Sequence, residues 1–143
     1  GDMFTPMRAT FQLQRAQLNE LNKFASGTEP SLTELFSVRN VLEMATVAGA
    51  KSHGLIDKIG TLTVGKQADV IMLKTREINV GPINDPFGSI VLGMDSSNVD
   101  SVFVAGKAMK RGGVLVGVDE KALFARAETA RNNLLARAGL PRS

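Results

Sequence analysis

The sequence has no cysteine, no tryptophan and no tyrosine, and it has a single histidine, His53. Without cysteine there is no disulfide, no cysteine–zinc site and no thiol nucleophile. One histidine excludes any site built from two or more. No apolar run approaches the ~18 residues of a membrane-spanning helix. A basic-then-apolar start is also missing, so neither a signal peptide nor a membrane partner is expected, and the reading is cytoplasmic. What is present is ordinary for a globular chain: 143 residues, 43% hydrophobic and 22% charged. That length can bury a core without metal or disulfide staples.

The net charge of +3 is uneven. Residues 1–50 and 51–100 each carry −1, whereas residues 101–143 carry +5, from 8 basic and 3 acidic side chains. These basic residues are spread along a helical pattern, with no aromatic residue placed to stack on bases. A solvated helix face is therefore expected, and no nucleic-acid partner.

Periodicity predicts two helices, several strands and a last helix. Thr5 is read as the first cap, with Pro6 in the first turn and Phe4, Met7, Phe11, Leu18 and Leu21 near one face. Lys23 to Pro30 reads as a loop. Ser31 and Glu34 have capping-box spacing for a second helix. That helix carries Leu35, Val38, Val41, Leu42, Ala45 and Ala48 on one face and stops at Gly54. Its small-sided stretch Ala45 to Ala50 lets another backbone approach. Ala68 to Leu73 is a continuous apolar run, expected to be a buried strand. Asn79 to Gly88 reads as a loop, and Ser89 to Met94 as either helix or strand. Ser101 to Ala105, Lys107 to Lys110 and Val114 to Val116 are expected strands, joined by turns at Gly106 and Gly112-Gly113. The last helix spans Asp119 to Ala138, with Leu123, Ala127, Ala130 and Leu134 on its face and stop signals at Gly139 and Pro141.

Motif by motif, no catalytic, cofactor-binding or metal-binding residue is assigned. Gly60 to Lys66 mimics the spacing of a phosphate loop, but Gln67 replaces the magnesium-binding hydroxyl. The segment also comes after a helix and opens a strand, the reverse of the phosphate-loop order, so a tight turn with an exposed Lys66 is expected. His53 has no second ligand and sits where a helix C-terminus favours a cation. Asp69, entering a strand, is expected to bond the backbone of the Gly65-Lys66 turn. Asp57 is read as part of a turn. Asp2, Asp85, Asp95 and Asp100 are scattered over loops without calcium-loop spacing. Ser37, Ser96 and Ser97 lack the Gly-x-Ser-x-Gly setting of a hydrolase nucleophile. The six methionines are read as core.

Three stretches carry a resemblance. They are Val41-Leu42-Glu43-Met44-Ala45-Thr46-Val47-Ala48-Gly49-Ala50-Lys51, Ile59 to Leu73 with its Gly60, Gly65-Lys66 and Ala68-Asp69, and Val99 to Lys107 with Gly112-Gly113 after it. In this order and spacing the chain resembles the C-terminal portion of a metal-dependent amidohydrolase, of the cytosine deaminase and chlorohydrolase-like branch. The start, Gly1 to Arg8, resembles the segment after that family's last barrel strand. The resemblance implies a (β/α)8 barrel carrying the chemistry. It also implies a small β-sandwich built from both chain ends, and a metal, zinc or iron, that activates a water against a C–N or C–halogen carbon.

The family's ligands, several histidines and one aspartate, would all lie upstream of Gly1, so no metal or catalytic role carries over. The expected fold is an α+β fragment. Residues 1–55 would be the last helical part of the barrel, 56–118 the sandwich portion and 119–143 a terminal helix. Gly60, Gly65, Lys66, Ala68 and Asp69 match the turn and strand entering the sandwich, and Gly106 and Lys107 match its later hairpin. Asp2 to Arg8 would lie near the rim of the active site. The chain alone is expected to hold no cofactor and to be inactive. Its expected partner is the missing N-terminal barrel portion or another copy of itself, through an apolar face that includes Phe4, Phe11, Leu13 and Leu18. The alternative is a self-standing, non-catalytic β-sandwich interaction module.

Overall fold

The computed structural model describes residues 2–24 and 35–141. Helix α1 runs Phe4–Phe24. Its cap is Asp2 rather than Thr5: the Asp2 carboxylate accepts from the Thr5 backbone N–H at 2.8 Å and from the Thr5 hydroxyl at 3.3 Å. A carboxylate reaches an orphan first-turn N–H three residues on more readily than a threonine already inside the helix. Pro6 sits in that first turn, where a missing N–H leaves no bond unmade.

Helix α2 is continuous but changes character, being α over Val38–Glu43, π over Met44–Ala48 and α again over Gly49–Ser52. Its capping box is Ser37 with Asn40; the expected pair Ser31 and Glu34 lies outside the described residues. The Thr46 hydroxyl donates to the Leu42 carbonyl at 2.7 Å inside the widened turn. Gly54, at φ 68°, ends the helix as expected. The small-sided stretch does admit a backbone: a Cβ on Gly60 would lie 2.7 Å from the Ala50 Cβ.

Strand β1 is Val70–Leu73. The next segment resolves the ambiguity of Ser89 to Met94 in favour of helix. Helix α3 is α over Pro86–Gly88, capped by Asp85, and π over Ser89–Gly93. A 3₁₀ turn, Ser96–Asn98, leads into β2, Val99–Val104. Asp100 thus lies on a strand and not in a loop. β3 is Lys107–Arg111, β4 is Val114–Leu115, and helix α4 is Glu120–Arg137 with Asp119 at its cap. The four strands form one antiparallel sheet in the order β1-β2-β3-β4.

The core is helical. Phe4 and Met7 of α1, Val41 of α2, Val91 of α3 and Met94 after it are buried together, with Phe11, Leu42, Leu73 and Val99 packed at their margin. Phe4 therefore fills the core and does not belong to a free apolar face; Leu13 and Leu21 of the same helix are exposed. The sheet carries little of the core. Ile71 and Met72 are each 54% exposed, so β1 is not the buried strand its apolar run implied. Only Met7 and Met94 of the six methionines are buried; Met3, Met44, Met72 and Met109 are not. No residue of α4 is buried, and Leu123, Phe124 and Leu134 face outward. These apolar side chains have the composition of a core without the burial.

Candidate functional site

Several of the charged residues singled out from the sequence bond the backbone. His53 is the C-cap of α2 and is exposed; its Nδ1 lies 2.9 Å from the Gly49 carbonyl and 3.2 Å from the Ser52 hydroxyl. Lys66 is half-buried and not exposed as expected. Its ammonium donates to the carbonyl of Ile56 and, at 3.4 Å, to that of Ile59. A turn after a helix leaves carbonyls free, and a flexible ammonium with three donors can satisfy two of them. The phosphate-loop mimic is thereby explained: its lysine points into its own turn, and the chain then enters β1 instead of a helix.

Asp69 also differs from expectation. Its Oδ1 accepts from the Ala105 backbone N–H at 2.7 Å, in the turn between β2 and β3, and does not bond the Gly65-Lys66 turn. The antiparallel pairing of β1 with β2 brings the start of β1 opposite the end of β2, which the linear sequence cannot show. Asp57 is exposed, in the turn after α2, as read.

Two polar arrangements escaped the sequence reading. Arg8 spans from α1 to the end of α3, with Nε donating to the Leu92 carbonyl at 3.1 Å and Nη2 to the Met94 carbonyl at 2.8 Å. These carbonyls lie at a helix C-terminus, where a guanidinium satisfies both hydrogen bonding and the dipole. Asn98, fully buried, exchanges two amide bonds with Asn79: Asn79 Nδ2 donates to Asn98 Oδ1 at 2.8 Å and Asn98 Nδ2 to Asn79 Oδ1 at 3.1 Å. Asn98 Oδ1 also accepts from the Asp95 backbone N–H at 3.0 Å. The Asp95-x-x-Asn98 spacing is the one local signal that could have found this pair.

Among the described residues no three His, Cys, Asp or Glu side chains come together as a metal-ligand group. The one histidine is spent on a helix end. The metal implied by the resemblance thus finds no ligand set among these residues. An open groove of about 540 Å³ lies between α2, the turn at Ile59 to Leu62 and β1. Its walls include Leu42, Ala45, Ile59, Leu62, Ile71 and Ile90, and Asp69 is its only carboxylate. That carboxylate is already bonded to a turn, and the other polar side chains of the lining are the Thr46 and Thr61 hydroxyls, so the groove pairs no acid with a base.

Residues 1–109 match the Amidohydrolase family. The chain is 38% identical over 95 residues to a 5-methylthioadenosine/S-adenosylhomocysteine deaminase of Desulforudis audaxviator, covering 66% of this chain and 22% of that protein. It is 36% identical over 110 residues to the S-triazine hydrolase of Gordonia rubripertincta, covering 74% of this chain and 23% of that protein. Among solved structures, an adenosine deaminase from Xanthomonas campestris with bound zinc superposes with a TM-score of 0.80 and 27% identity, over 94% of this chain and 28% of that one. The chain therefore spans about a quarter of the length of the relatives it matches. With the family matched over most of its length, this chain belongs to the amidohydrolases.

Proposed function

We propose that this chain is the C-terminal portion of a metal-dependent amidohydrolase that hydrolyses C–N, or C–halogen, bonds. Its own part is architectural: α1 to α3 close the end of the barrel, and the sheet completes a β-sandwich. The metal, zinc or iron, belongs to residues outside the chain, and the 143 residues alone hold no catalytic centre. The observation that carries this reading is the superposition on a zinc-containing deaminase over nearly all of this chain and only 28% of that one. The exposed Ile71, Val104, Leu123 and Phe124 support it, because apolar side chains on a sheet and a helix are what an absent neighbour would cover. They weigh against the self-standing module, whose outer faces would be polar. The surface is read as the seat of the rest of the same protein, and a second copy covers it only when that is absent.

Relatives named as 5-methylthioadenosine/S-adenosylhomocysteine deaminase and as S-triazine hydrolase make deamination of such a substrate and hydrolysis of an s-triazine the reactions to assay. The test compares two samples, this chain and the product of its complete source reading frame, each supplied with zinc. Stoichiometric zinc and ammonia or chloride release are expected from the complete product alone. Stoichiometric zinc with turnover in the 143-residue chain would overturn the proposal, as would a reading frame that holds no upstream histidine-rich barrel.

A further inference from the structure

We draw no further inference here: the strongest candidate, the apolar groove between α2, the turn at Ile59 to Leu62 and the outer edge of β1, carries nothing because nothing in the structure shows what covers it.

Discussion

Asp69 and Ala105 are 36 residues apart, yet the carboxylate of the first accepts the backbone N–H of the second at 2.7 Å. The bond holds the entry of β1 against the β2–β3 turn, where Ala105 is the one non-glycine among the described residues with positive φ, at 49°. An L-residue in that region is strained by contact between its Cβ and the backbone. The charge-assisted bond offsets part of that cost. Asp69→Ala is expected to lower stability by about 1 kcal/mol, at the modest end because the site is exposed. Ala105→Gly is expected to have the opposite sign, a gain of several tenths of a kcal/mol. Urea unfolding of the two variants checks both signs; an Ala105→Gly loss would refute the strain argument.

The Asn98–Asn79 pair should be a sensitive polar feature. Asn98→Ala removes both amide bonds to Asn79 and strands the Asp95 N–H. The partners left behind belong to the exposed residues Asn79 and Asp95, which water can reach, so a loss of about 2 kcal/mol is expected. Asn79→Ala also removes three bonds, two to Asn98 and one to the Gly93 carbonyl, and leaves the buried Asn98 amide without its partner, so a similar loss is expected. A clearly smaller loss for Asn79→Ala in a denaturation series would show that the Asp95 bond, rather than the pair, sets the energy.

The fork of Arg8 makes a prediction about geometry. Arg8→Lys keeps the charge but cannot reach the Leu92 and Met94 carbonyls through two fixed donors. Arg8→Lys should therefore recover less than half of the roughly 1–2 kcal/mol lost in Arg8→Ala. Full recovery by lysine would mean that the helix-end charge alone matters.

Core size is tested at Val91, which has no exposed surface. Val91→Ala is expected to cost about 2 kcal/mol, from lost transfer energy plus the cavity left behind. The same change at Ile71, 54% exposed, should be near neutral in this chain. In the complete reading-frame product Ile71→Ala should become destabilising if the sheet face is covered there, and thermal melts of both samples read that difference.

Two carboxylates set an acid limit. Hydrogen bonds from the Thr5 backbone hold Asp2 below its ordinary value of 3.8, aided by the Thr5 hydroxyl. Asp95 is held below the same value by the Ser97 hydroxyl and backbone N–H, with Arg8 nearby. A carboxylate with a depressed folded-state pKa binds fewer protons when folded than when unfolded. Its contribution is present above about pH 4 and is lost as pH falls through the folded value. Asp2→Asn with Asp95→Asn should flatten the stability profile below about pH 4 and leave its slope at neutral pH unchanged; acid titrations of the melting temperature of both forms read the change.

The division between sequence and tertiary structure tracks the range of the forces. Local backbone chemistry was legible: the stop at Gly54, the turn before β1, the β2–β3–β4 meander and the helix from Asp119 all lie where breakers and periodicity put them. These depend on φ preference and on partners a few residues away. One histidine and no cysteine also limit the ways in which a site could be built. Burial was not. The apolar run at Ala68 to Leu73 and the apolar positions of α4 promised core, but burial depends on which surfaces meet, and here the helices meet one another. Asp69 found Ala105, Arg8 found Leu92 and Met94, and Asn98 found Asn79 because chain reversal brought distant backbone within the ~3 Å reach of a hydrogen bond. Spacing along the sequence carries no record of such distances.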